Sequence, residues 1–279
     1  MFKRLLLSAA LLGASLAFAG GYQLYSESAT DVLATAGAVV GRKGMSSSPW
    51  YNPAAASYIT RPTLSFGGTL IKLSIHYHSP YGGGSDLDAQ WRYTGFLYNV
   101  IPINDRVHFS LSMNAPYGMI THWKSGWQED TLATYTSIRC MYTTPNISFK
   151  VRDDLAVAAG FNFVYGTARV GRMIQGNAAA GVPRNKMYLR ADGHGFGYTV
   201  SAHYQPFEHW GFGAHYQSRV KIKFEGSSDF RYEGKYAGGL VSYQNDDVGT
   251  TLTMPATFAI GVANTSIDKL TLCADALWT

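Results

Sequence analysis

The sequence predicts an all-β protein, a transmembrane antiparallel up-and-down β-barrel preceded by a small folded plug with helical pieces. Three observations carry this. From Thr63 onward, apolar and polar residues alternate with period two over stretches longer than the roughly 5 to 6 residues of an ordinary strand. The composition joins 30 Gly, 19 Tyr, 14 Phe and 6 Trp to only 15% charged residues. The connections between alternating stretches are short and long in strict turn, as in outer-membrane barrels with periplasmic turns and extracellular loops. A soluble barrel would show the same period. Strand length decides for lipid, since a membrane strand needs about 9 to 11 residues, and so does the aromatic content, because aromatics gather at the membrane interfaces.

Residues 1–19 read as a secretory signal peptide: MFKR is basic, an apolar run follows, and Ala17-Phe18-Ala19 has the small-x-small pattern of a cleavage site. The run is shorter than the ~20 residues of a spanning helix, so an uncleaved anchor is the weaker reading. Without Lys3 and Arg4 the formal charge of +5 falls by two, and no basic block remains to bind nucleic acid. Cys140 and Cys273 show no metal-ligand spacing; one disulfide or two free thiols both remain open.

Residues 20–61 form the plug. Ser28 to Val40 and Pro53 to Tyr58 have helical character, with Ser28 and Asp31 as a capping box and Val32, Ala36 and Val39 at helical spacing. GRKGMSSS separates the two pieces. Residues 62–279 form the barrel, incomplete, with about nine strand candidates. The clearest is Trp210 to Phe224, where Trp210, Phe212, Ala214, Tyr216, Val220, Ile222 and Phe224 make one row, broken only by Ser218. Similar alternation marks Val107 to Met113, Leu155 to Tyr165, Phe196 to Tyr204, Leu252 to Val262 and Leu270 to Trp278. Thr63 to Tyr77 changes phase near Leu70, where a bulge is expected, and Trp91 to Ile101 is mixed. The turns fall at 103–106, 152–154, 206–209 and 264–268, and the long loops around 78–89, 117–136, 175–186 and 225–248.

Few residues point to covalent chemistry. His76 and His78 share a strand face but lack a third metal ligand. Gly193-His194-Gly195-Phe196-Gly197 imitates a phosphate loop, yet no helix pattern follows it. Ser201 and His203 lie on one face without a third partner, so an outer-membrane lipid hydrolase stands only as the competing class. A polar porin is the third reading, opposed by the folded N-terminal segment.

The sequence resembles the FadL/TodX outer-membrane transporters of long-chain fatty acids and other hydrophobic compounds. The likeness runs through GGYQLYSESA, YNPAAASYITRPTLSFGG, VIPIND, MNAPYGM, LAVAAGFNFVYGTARV, GHGFGYTVSAHYQP and HYQSRVKIKFEG. It implies a fourteen-stranded barrel in the bacterial outer membrane, monomeric when complete, in contact with outer-membrane lipid and passing hydrophobic molecules without catalysis, metal or cofactor. Long-chain fatty acids are the first substrate class and monoaromatic hydrocarbons the second. It also implies that residues 20–61 are an N-terminal helical hatch inside the barrel lumen, that Asn52-Pro53-Ala54 belongs to this hatch, and that Asn114-Ala115-Pro116-Tyr117-Gly118 forms an inward kink giving a lateral opening. For a fatty-acid carboxylate, the expected lumen cations are Arg169, Arg219 and Lys221. LTLCADALWT stops in mid-strand, and an open edge in lipid costs several kcal/mol per exposed backbone group. A piece of a longer protein is therefore expected.

Overall fold

The computed structural model describes residues 23–80, 82–88, 90–124 and 126–279; the expected signal peptide and residues 20–22 lie outside them. Nine barrel strands pair antiparallel in chain order: β1 (Thr63–Lys72), β2 (Trp91–Pro102), β3 (Val107–His122), β4 (Tyr135–Arg152), β5 (Leu155–Ile174), β6 (Asn185–Phe207), β7, β8 and β9 (Leu270–Trp278). β7 and β8 each come in two segments, Trp210–Gln217 with Val220–Phe230 and Asp246–Met254 with Thr257–Ile267. The expected turns are in place. At the first, Asn104 Oδ1 accepts from the backbone N–H of Arg106 and of Val107, both at 2.9 Å. At the loop ends the strands outrun the expected limits, with β5 and β6 paired without a break from Leu155–Tyr204 to Ile174–Asn185.

The bulge expected near Leu70 is absent, because β1 pairs with β2 from Thr63–Val100 to Lys72–Trp91 without a register shift. Leu70 continues the outward row and Ile71 belongs to the inward one, so both faces are simply apolar at that level. The outward row is an apolar belt in which Phe66, Tyr93, Phe161, Phe196 and Phe258 are exposed. That is the surface a lipid-facing wall presents.

Residues 23–61 pack against the inward face. The expected helix from Ser28 shrinks to one turn, α1 (Thr30–Leu33), because Ala36 and Gly37 take positive φ and turn the chain. The capping box is also corrected. Ser28 Oγ donates to the Leu24 carbonyl, whereas Asp31 Oδ2 accepts from Ser47 Oγ at 2.8 Å and so ties the two halves of the segment together. A second turn, α2 (Ser48–Tyr51), leads into a 3-10 stretch at Pro53–Tyr58. The sheet curls around this segment. Wall side chains of β1, β2, β3, β4 and β6 bond to it: Thr69 to the Glu27 carbonyl, Tyr98 to Ser28, His108 to Ile59, Asn146 to Pro49 and His203 to Gly41.

The apolar row of β7 does not stay on one face. Trp210 and Phe212 point outward, while Val220, Ile222 and Phe224 are at most 1% exposed and pack inward with Tyr142 and Val164. Between its pairs Thr199–Gln217 and His194–Lys223, β7 spends one residue more than β6, and this reverses every side chain beyond Ser218. β8 swaps faces in step across Pro255 and Ala256, from Leu252 inward to Phe258 outward. Gly195 and Gly197 make room for the crossing, since a Cβ there would meet the Lys221 carbonyl at 2.6 Å and Ser218 Oγ at 2.7 Å. The glycines of Gly193 to Gly197 thus serve strand packing.

Backbone meets backbone where the N-terminal segment touches the wall. A Cβ on Gly41 would lie 2.6 Å from the Val262 carbonyl carbon, and one on Gly213 would overlap the Val40 carbonyl oxygen. Gly213→Val is therefore expected to destabilise the folded protein by about 1–3 kcal/mol through overpacking. Gly249→Ala, with only an ordinary 3.7 Å neighbour, serves as the neutral control. Denaturant unfolding in detergent micelles measures both.

Candidate functional site

The wall is interrupted at β3. Pairing with β2 runs from Pro102–His108 to Phe96–Asn114 and stops there, although β2 continues to Trp91 and β3 to His122. On its other side, β3 resumes its register with β4 only at Tyr117–Cys140, skipping Ala115 and Pro116. Proline has no N–H to give to a ladder, so the break falls where the sequence removes the donor.

A cavity of about 590 Å³ occupies the gap. Its lining includes residues of the outward row, such as Leu97, Met141 and Tyr165, together with Asn114, Tyr117 and Leu24 on the inner side. It therefore passes through the wall. The start of the N-terminal segment closes its inner end: Leu24 N–H donates to the Pro116 carbonyl at 2.7 Å, and Gln23 bridges to Tyr117. Next to Leu24 in the chain, Tyr25 meets Tyr51 edge to face at 5.1 Å and accepts at its carbonyl from the Tyr51 hydroxyl. Asn114 is buried, and neither of its amide atoms has a partner among the described residues.

Asn52, Pro53 and Ala54 are all buried. Asn52 Nδ2 donates to the Val40 carbonyl at 2.8 Å and to that of Ala202 at 3.2 Å, and Ala54 N–H donates to Ser201 Oγ at 2.9 Å. Ser201 and His203 are both taken up as anchors of this segment. Asp275 of β9 adds another anchor, its carboxylate accepting from the N–H of Val39 at 2.6 Å and of Val40 at 2.8 Å. Nothing in the sequence marks Asp275, because a carboxylate in a strand has no local signature.

The expected lumen cations are elsewhere. Arg219 and Lys221 face outward, since the face swap at Ser218 exchanges the rows of β7. Arg169 shares the outward row of Tyr165 and bonds Asp192 at 2.9 Å. The cations that line the cavity are Arg92 and Arg139. Arg92 sits in the stretch whose mixed pattern hid its facing. His76 pairs with Asp86 at 2.6 Å in a hairpin beyond β1, which holds the Asp86 carboxyl below its usual range. Cys140 and Cys273 are both free.

The model of the outer membrane protein transport proteins (OMPP1/FadL/TodX) matches residues 10–279. The chain belongs to this family. Its members are outer-membrane β-barrels, which agrees with the lipid-facing belt described above. A long-chain fatty acid transport protein of Escherichia coli O6:H1 is 26% identical over 199 residues, covering 63% of this chain and 45% of the relative. The corresponding protein of strain K12 is 25% identical, with 63% and 46% covered. The chain thus spans about half the length of the curated relatives it matches. Among solved structures, a Pseudomonas aeruginosa FadL homologue superposes with a TM-score of 0.75 at 20% identity, covering 93% of this chain and 69% of that one. The Ralstonia pickettii toluene transporter TbuX gives 0.67 at 15% identity, covering 90% and 72%.

Two outcomes follow from the anchoring. Asn52→Ala strands the buried carbonyls of Val40 and Ala202 and is expected to cost about 1–3 kcal/mol, with faster amide hydrogen exchange over residues 39–43. Burial raises the Tyr25 and Tyr51 phenols well above their ordinary value of 10.0. Their neutral forms therefore contribute stability that is complete below pH 10 and lost as pH rises through the raised values. An ultraviolet titration is expected to leave these two phenols un-ionised at pH 11 in the folded protein and to ionise them on unfolding.

Proposed function

We propose that the protein passes hydrophobic small molecules across the outer membrane by passive diffusion, through the gap between β2 and β3, with residues 23–61 acting as the hatch. The observation that carries this reading is the apolar cavity crossing the wall where the ladder stops, closed inside by the Leu24–Pro116 bond. Long-chain fatty acids are the first substrate class. An alkyl chain gains roughly 0.8 kcal/mol per buried CH₂, and Arg92, Arg139 and the open amide of Asn114 offer donors to a carboxylate. The similarity to the Escherichia coli fatty acid transport proteins supports the same class. Monoaromatic hydrocarbons are the second reading, favoured by the aromatic lining from Tyr93, Phe96, Tyr117 and Tyr165.

Equilibrium binding of radiolabelled oleate and toluene separates them. The double variant Arg92→Gln/Arg139→Gln is expected to weaken oleate about tenfold (~1.4 kcal/mol) and to leave toluene unchanged. Tight toluene binding with no oleate binding overturns the fatty-acid reading. Gly118→Trp, placed 3.6 Å from Leu24 Cδ1, is expected to cut cellular uptake of either substrate about tenfold.

A further inference from the structure

The face swap of β7 leaves a notch on the outside of the wall. Lipid-facing aromatics on β7 end at Tyr216, which pairs with Val200 of β6. β6 carries its outward apolar row further toward the loops, through Tyr198 to Phe196. Beside this extra length β7 presents Arg219 and Lys221 instead, followed by Lys223 opposite His194. A cavity of about 600 Å³ lies between the strands, lined by these cations, His194 and Phe196. Two acids border it, Asp192 and Glu225, and Asp192 is already held by Arg169. Arg190, one strand turn further out, also lies on the outward row. Arg190, Arg219, Lys221 and Lys223 form no ion pair among the described residues.

Cations set into the edge of an apolar belt are disfavoured by lipid unless they reach headgroups or meet counter-charge. Long loops lie beyond this end of the strands, which puts the notch on the extracellular side, in the outer leaflet.

We propose that this notch binds the phosphate of an outer-leaflet glycolipid, with Arg219, Lys221 and Lys223 holding the phosphate and Phe196 and Tyr198 covering the first part of an acyl chain. Charge complementarity and the adjoining lipid belt together select this occupant over a soluble anion. The notch shares no lining residue with the β2–β3 cavity, although Tyr165 and Thr167 of that cavity pair across the ladder with His194 and Asp192 of the notch, and the proposal does not rest on the transport reading.

The test uses the purified protein in detergent, incubated with bisphosphorylated lipid A or with the same lipid after phosphate removal, and read by native mass spectrometry. The expected result is retention of the phosphorylated lipid, with the bound fraction falling at least tenfold in Arg219→Gln/Lys221→Gln/Lys223→Gln and preserved in Lys221→Arg/Lys223→Arg. A footprint on the folded wild-type protein covers the case where the triple variant does not fold: lipid A is expected to protect Lys221 and Lys223 from acetylation, whereas the dephosphorylated lipid is not. Equal retention of both lipids, unchanged binding by the folded triple variant, or unprotected lysines overturns the proposal. So does a cross-link from Lys221 to a second copy of the chain that lipid A does not displace.

Discussion

The close approach of the N-terminal segment to the inner wall is the constraint on which the rest depends. In lipid every backbone polar group needs a partner within the protein, so a segment without a ladder has to lie on the inward side. Residues 23–61 form only short helical pieces of one or two turns and would leave many such groups open. The inward row supplies partners for them: Ser201 for the Ala54 amide, Asp275 for those of Val39 and Val40, and His203 and His108 for the carbonyls of Gly41 and Ile59. The contact is close enough to require glycine on both sides, at Gly41 and at Gly213.

The break in β3 is tolerated for the same reason. Its freed backbone turns toward the segment, and the Leu24 amide takes the Pro116 carbonyl that β2 leaves unmatched. From that bond a connected path runs through Ser28 and Tyr98, Asp31 and Ser47, and Asn52 and Val40 to Asp275. The gap and the far side of the sheet are therefore joined by one small folded unit. In the proposed passage, displacing its first residues uncovers the cavity while the anchors at Asn52 and Ala54 keep the remainder in place.

Much of this was legible in the sequence. Period-two alternation located the strands, and the turn residues located their connections, because both depend on local geometry. Asn52-Pro53-Ala54 and the Asn114 to Gly118 stretch were singled out by the family resemblance, and each holds a proline, which cannot donate to a ladder. Facing was harder to read. Trp210 to Phe224 looked like one continuous apolar row, yet a single extra residue near Ser218 turned Val220, Ile222 and Phe224 inward and carried Arg219 and Lys221 to the outside. A bulge leaves the alternation of a sequence unchanged when both faces accept apolar residues, and only register with the neighbouring strand exposes it. The role of Asp275 was hidden similarly, being set by amides more than two hundred residues away in the chain.

The most direct test of the central claim bridges the gap. Gly95→Cys and Ala115→Cys, in a Cys140→Ala/Cys273→Ala background, place thiols on the two strands where their pairing has stopped. They are joined in cells by a short cleavable thiol cross-linker, and uptake of a labelled hydrophobic substrate is measured before bridging, after bridging and after cleavage. A passage through the wall predicts that bridging removes most uptake and that cleavage restores it. Unchanged uptake in quantitatively bridged protein would place the route elsewhere and contradict the account.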